Sequence, residues 1–239
     1  GSWSQLGSDI DGEAAGDYFG WAVSLDSDGD RVAIGSQYND GNGTEAGHVR
    51  VYQYSSGSWS QLGGDIDGEA AGDMSARSVS LDSDGDRVAI GAVNNDGTAS
   101  NAGHVRVYQC CSESGNWSQL GSDIDGEAAD DYSGNSVSLD SDGDRVAIGA
   151  RANDGTGAEA GHVRVYQYNG TSWSQLGSDI DAEAAGDNFG VSVSLDSDGD
   201  RVAIGANHND GTASNAGHVR VYGYSSSSWS QLGSDIDGE

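Results

Sequence analysis

Two acidic phrases recur along this 239-residue chain at spacings that could gather a hard cation. The first, DSDGD, sets Asp26, Asp28 and Asp30 at alternate positions, followed by Asp82, Asp84 and Asp86, by Asp140, Asp142 and Asp144, and by Asp196, Asp198 and Asp200. The second, DIDGEAAGD and its variants, puts Asp9, Asp11, Glu13 and Asp17 at places 1, 3, 5 and 9 of a nine-residue stretch. Asp65, Asp67, Glu69 and Asp73 repeat that spacing, as do Asp123, Asp125, Glu127 and Asp131, and Asp179, Asp181, Glu183 and Asp187. Calcium takes about six to eight oxygens, and alternating carboxylates can offer several from one loop. Asp and Gly are equally the residues of tight turns, so a solvated turn competes with the metal reading. In the second phrase the glycine sits at the fourth place, where an EF-hand has it at the sixth.

Charge supports cations independently. With 39 acids against 10 arginines, no lysine and a formal charge of -29, the chain is a poor partner for nucleic acid, whose phosphates recruit dense positive charge. Screening by salt relieves the self-repulsion, so a salty or calcium-containing medium is the expected habitat. No apolar run approaches the roughly 18 residues of a membrane helix, and no signal peptide opens the chain. We expect an extracellular or cell-surface protein without membrane insertion.

The elements that must position these acids are repeated. Trp3, Trp59, Trp117, Trp173 and Trp229 each begin a WSQLG phrase, at spacings of 56, 58, 56 and 56. The second unit shows how each is built. SVSL, RVAIGA and HVRVYQ alternate valine, leucine or isoleucine with serine, arginine or other residues, the period of half-buried strands. DSDGD between the first two is a hairpin turn. NDG and a Gly- and Ser-rich stretch lead to the third strand, and WSQLGSDI is expected as one outer strand whose Trp covers the sheet edge. Six core aliphatics per unit, at about 2 kcal/mol each when buried, require the units to stack. The expected fold is all-β, a β-propeller of four-stranded antiparallel blades in four repeats, spanning approximately residues 14–69, 70–127, 128–183 and 184–239. Residues 1–13 are an extra copy of the outer strand, which points to self-association or to neighbouring repeats of a longer chain.

Phe19-Gly20 and Phe189-Gly190 open the first strand of their units, and Gly91-Ala92, Gly149-Ala150 and Gly205-Ala206 close the second, before GHVRVY. In these phrases the chain resembles the FG-GAP repeats of integrin α-subunit propellers and of many secreted microbial and algal proteins. It departs from them in lacking the proline of GAP and in having Ser75-Ala76 and Ser133-Gly134 in place of Phe-Gly. The resemblance implies calcium in the hairpin between the first two strands, through a D-x-D-x-D-G-x-x-D loop. The hairpin here is shorter, lacks the ninth-position acid and has its glycine one place early.

Other candidates are fewer. Asn42, Asn116 and Asn169 head glycosylation acceptor sequences. Cys110 and Cys111 are adjacent, and a vicinal disulfide, an intermolecular bridge and two free thiols all remain open. His48, His104, His162 and His218 recur in identical contexts, as a structural residue would, and no GxSxG, HExxH or phosphate-binding loop occurs. A noncatalytic structural or adhesion module, with glycans or cell-surface proteins as further partners, is therefore expected. A lectin-like propeller is the alternative: Tyr18, Trp21 and Tyr132 could stack on a sugar, although Met74 and Asn188 stand in the places matching Tyr18.

Overall fold

The computed structural model describes residues 1–110 and 115–239. Each unit becomes an antiparallel sheet where the period of two places its strands. In the first blade β1 (Ala22–Leu25), β2 (Arg31–Ser36), β3 (His48–Ser55) and β4 (Ser58–Gln61) lie side by side, and β5 (Ile66–Asp67) pairs with the start of β3. The second blade has β6 (Ser75–Leu81), β7 (Arg87–Ala92), β8 (His104–Gln109), β9 (Ser118–Gln119) and β10 (Ile124–Asp125). The third has β11 (Ser133–Leu139), β12 (Arg145–Ala150), β13 (His162–Tyr168), β14 (Trp173–Gln175) and β15 (Ile180–Asp181). The fourth has β16 (Phe189–Leu195), β17 (Arg201–Ala206), β18 (His218–Ser225), β19 (Ser228–Gln231) and β20 (Ile236–Asp237).

The outer strand differs from expectation. WSQLGSDI is two short strands, both on the third strand of its blade, because Leu62 and its equivalents turn inward between them. Leu62 packs against the core beside Trp117 of the next blade, its N–H bonds to Val51 O, and Gly63 follows at φ 75°. The tryptophan does more than cover its own sheet edge. Trp117 Nε1 donates to Leu62 O, Trp173 Nε1 to Leu120 O and Trp229 Nε1 to Leu176 O, so each indole ties its blade to the one before. Residues 1–13 form no strand, having no third strand of an earlier blade to pair with, yet Leu6 O still accepts from Trp59 Nε1.

Three core clusters fill the three spaces between successive blades. Each brings an alanine of the second strand, two valines of the third and the isoleucine of the fifth strand of one blade onto the first and second strands of the next. Backbone bonds run from blade to blade, from Ser27 N to Ser83 O, Ser83 N to Ser141 O and Ser141 N to Ser197 O. No core cluster or backbone hydrogen bond among the described residues joins the fourth blade to the first. Val23 and Leu25 on β1 are 63% and 60% exposed, where their equivalents Val79 and Leu81 are 9% and 6%. At the other end Val219 and Ile236 are exposed, while Val49, Ile66, Val105 and Ile124 are buried. The four blades thus form an arc with one free face at each end.

Candidate functional site

The hairpin acids act first as turn residues. Asp26 Oδ1 accepts the Arg31 N–H, Asp82 Oδ1 that of Arg87, and Asp140 and Asp196 each accept two backbone N–H groups. The arginine that follows leans across to the next blade: Arg31 Nη1 donates to Asp84 O, Arg87 to Asp142 O and Arg145 to Asp198 O. Burial, and then the nearby charges of Asp86 and Asp144, push Asp82 and Asp140 up to about 6. The remaining hairpin acids, Asp28, Asp30, Asp84, Asp86, Asp142, Asp144, Asp198 and Asp200, stand on the turns around them.

The second acidic phrase is divided among three partners. Its ninth-place acids Asp17, Asp73, Asp131 and Asp187 are buried and accept the side-chain amides of Asn39, Asn95, Asn153 and Asn209. Those asparagines also accept the N–H of Gly41, Gly97, Gly155 and Gly211, fixing the NDG turn to the start of the first strand. Its first-place acids Asp65, Asp123 and Asp179, with Asp235 of the last phrase, form two-point ion pairs with Arg50, Arg106, Arg164 and Arg220. Glu13, Glu69, Glu127 and Glu183 pair with the same guanidiniums from the preceding turn. The third-place acids Asp67, Asp125 and Asp181 face His48, His104 and His162 in strand register. Asp9 is exposed and accepts from Gln5 Nε2, and Asp11 is exposed as well.

This pairing gathers a cluster that the sequence reading did not anticipate. Glu13, His48 and Asp65 offer ligand atoms within 4.8 Å of one another, and so do Glu69, His104 and Asp123; Glu127, His162 and Asp179; and Glu183, His218 and Asp235. Such a cluster could hold a metal ion. The donor set does not fit calcium: it offers one imidazole nitrogen and two carboxylates already bound to a guanidinium, far from a full oxygen shell. Arginine is the cation in each cluster. The histidines are buried and their Nδ1 atoms lie 3.7 to 3.9 Å from the aspartate oxygens, beyond hydrogen bonding. Burial holds His48, His104 and His162 below their ordinary value, so they are neutral members of the cluster.

Asn42, Asn116 and Asn169 are exposed. Asn42 Nδ2 donates to Gly68 O and Glu69 O, while Asn169 Oδ1 organises its own turn through Thr171 and Ser172. Cys110 is buried and disulfide-bonded, and Cys111 lies outside the described residues.

A different set of residues meets at the end of the axis where the first strands begin. Trp21, Tyr38, Arg77, Tyr132, Asn135 and Arg151 line a cleft of about 230 Å³, with Gln37 among the remaining lining side chains. The Arg77 guanidinium lies 5.2 Å from the Trp21 ring centre and that of Arg151 lies 5.0 Å from the Tyr132 ring centre. Among the described residues neither arginine has an acidic partner within salt-bridge distance. Burial, and then the charge of Arg151, hold the Arg77 pKa below its ordinary value. Sequence reasoning picked out Tyr18, Trp21 and Tyr132 but missed Tyr38, Arg77 and Arg151. The available signal was that eight of the ten arginines recur at fixed places and these two do not.

Four stacked antiparallel blades around a common axis define the class: a β-propeller. Residues 10–52 and 180–222, in the first and last units, match the FG-GAP repeat family. In structure the chain is similar to a putative 6-phosphogluconolactonase from Bacteroides uniformis (TM-score 0.60, 11% identity, 91% of this chain and 56% of that one). It is similar also to Kuenenia stuttgartiensis hydrazine synthase (0.57, 11%, 96% and 53%) and to the periplasmic gluconolactonase PpgL of Pseudomonas aeruginosa (0.56, 14%, 91% and 57%). The likeness at these identities is one of fold, and the chain spans a little more than half the length of each. No curated protein matches the chain in sequence.

Proposed function

We propose that the chain is a noncatalytic structural or adhesion module working outside the cell, joined head to tail to a second copy through its free blade faces. The observation that carries this is the mismatch between identical words and unlike surroundings. The face presented by Val219 and Ile236 is the surface that holds the next blade at all three internal interfaces, and Val23 with Leu25 is the surface so held. Trp59, Trp117, Trp173 and Trp229 sit against Gly7, Gly63, Gly121 and Gly177, whereas the equivalent Gly233 has nothing within 4 Å of its missing side chain. Tail and head are complementary because each repeats an interface the chain already makes.

A noncatalytic role fits the fourfold copying of the histidine clusters, since an enzyme needs one constellation unlike the others. Calcium does not enter this reading, because Asp26, Asp82, Asp140 and Asp196 hold backbone N–H groups, while the first-place acids of the second phrase hold arginine and its ninth-place acids hold asparagine. Extracellular work fits the acidic surface and exposed acceptor asparagines; among the described residues no helix is long and apolar enough to cross a membrane. Sedimentation velocity across a concentration series tests the assembly. Concentration-dependent association that Val219→Asp with Ile236→Asp abolishes is expected, and a monomer at every concentration would refute it. A glycan-binding role has separate support in the aromatic and arginine side chains of the axial cleft.

A further inference from the structure

In a chain of near-copies, the places that are not copied stand out, and the cleft at the start of the first strands is made only of such places. The position of Trp21 holds Arg77, Asn135 and Val191 in the later units, and that of Gln37 holds Val93, Arg151 and Asn207. The position of Tyr38 varies as freely, that of Tyr18 holds tyrosine, methionine, tyrosine and asparagine in turn, and every side chain lining the cleft comes from one of these four positions. Packing does not demand the variation, since the strands on either side of it are nearly invariant.

Three further observations say that these residues are held ready for a ligand. Arg77 and Arg151 have aromatic neighbours and no carboxylate, in a chain with 39 acids available to pair with them. Gln37 is 2% exposed, and its amide oxygen has no hydrogen-bond partner, an arrangement costly in a folded protein unless a donor arrives. Tyr18, Met74 and Tyr132 occupy the left-handed region at φ 53°, 51° and 54°, a conformation that Asn188 takes in the fourth unit at φ 54°. Asparagine tolerates that region far better than tyrosine or methionine, so three units carry strain that a cheaper residue would remove.

We propose that this cleft binds one acidic sugar unit, its carboxylate or sulfate held by Arg77 and Arg151 and its ring faced by Trp21, Tyr38 and Tyr132. Guanidiniums recognise planar or tetrahedral oxyanions through paired N–H donors. Aromatic faces accept the C–H face of a ring, and Gln37, Asn94 and Asn135 supply amides for hydroxyls. A second groove of about 490 Å³ shares Trp21 and Tyr38 and continues past Asp40, Thr44 and Glu45. Its carboxylates accept hydroxyl protons and repel a further anion, so the neighbouring sugar is neutral. The small cleft and the net charge of -29 exclude a long polyanion, which the rest of the surface repels.

Matched disaccharides test the proposal on the intact chain without any substitution. Isothermal titration compares cellobiouronic acid with cellobiose for the carboxylate, and lactose 6'-sulfate with lactose for the sulfate, with inorganic sulfate as the bare ion. One site per chain is expected for at least one acidic sugar, about ten- to hundredfold tighter than for its neutral twin and for inorganic sulfate. Arg77→Gln with Arg151→Gln should remove that preference, while Arg201→Gln, an exposed arginine outside the cleft, should leave it unchanged. Equal binding of acidic and neutral twins, no saturable binding of either acidic sugar up to millimolar concentration, or an unchanged preference in the double variant overturns the proposal. So does inorganic sulfate binding as tightly as the sugar.

Discussion

The two ends of the propeller axis are built from the same strands and obey opposite rules. At the hairpin end, Leu25, Asp26 and Ser27 meet Leu81, Asp82, Ser83 and their counterparts in the other two blades, so every unit contributes the same three residues. At the other end no two units contribute the same set. The uniform end is acidic and tied together, with serine backbones bonded blade to blade and Arg31, Arg87 and Arg145 reaching the next hairpin. The varied end carries Arg77 and Arg151, which lie over aromatic rings. Repetition therefore marks what holds the arc together, and departure from repetition marks the positions that packing leaves free.

If repeated residues exist for packing, their substitution should cost most where a neighbour is present. An added Cβ at Gly149 would lie 2.0 Å from Gly190 O, whereas at Gly205, the same word at the open end of the arc, its three nearest atoms all belong to Ser192, the nearest being the movable hydroxyl Oγ at 2.5 Å. We expect Gly149→Ala to cost about 3 kcal/mol or more in urea unfolding and Gly205→Ala about 1 kcal/mol or less. Equal costs would break the link between repetition and interface.

The paired arginines supply the next test. Arg106 holds both Glu69 and Asp123 and is itself largely buried, although the acids are 42% and 30% exposed. Removing one partner of a fully buried pair costs about 3 to 5 kcal/mol, and exposure of the acids lowers the expectation for Arg106→Met to about 2 kcal/mol. A variant as stable as the parent would show that the ion pairs are incidental.

Much of this was legible in the residues. The period of two located the first three strands of every blade, and DSDGD located the hairpin, because local pattern and turn chemistry agree there. The outer strand was read as continuous because nothing in WSQLGSDI announces that Leu62 must turn inward under a tryptophan 55 residues away. The acids were grouped by spacing along the chain, but Asp65 and Glu13, from different copies of the phrase, share Arg50, and Asp17 belongs to Asn39. Three-dimensional pairing, not loop spacing, assigns them. The cleft escaped for a similar reason: Trp21 and Arg151 are far apart in sequence, and only a column-by-column comparison of the units isolates their positions.

The uniform end should also titrate in a way the varied end does not. Asp82 and Asp140, raised from 3.8 to about 6 chiefly by burial, bind more protons folded than unfolded. Their contribution to stability is therefore full below about pH 4 and is lost as pH rises through 6. Asp65 and Asp235, held below 3.8 chiefly by their hydrogen bonds to Arg50 and Arg220, act oppositely, and their contribution is lost as pH falls below that value. Urea unfolding should show a stability maximum between about pH 4 and 5, with a decline of order 1 to 2 kcal/mol by pH 7. Asp82→Asn with Asp140→Asn should flatten that decline. Stability rising steadily to pH 7 would contradict the assignment of these two acids.

The smallest effects are expected at the varied end, and their smallness is the point. Arg77 and Arg151 lack acidic partners and repel each other, while each gains from an aromatic face about what an exposed cation–π contact gives. Arg77→Gln should accordingly change stability by no more than about 0.5 kcal/mol in either direction. Met74→Asn, which gives the left-handed position the residue the fourth unit already uses, should stabilise by roughly 0.5 to 1 kcal/mol. A residue kept at a cost to the fold, where the neighbouring unit shows a cheaper choice, is better explained by what it contacts from outside than by what it packs against. Destabilisation by more than about 1 kcal/mol in both variants would place these side chains among the packing residues and erase the contrast between the two ends.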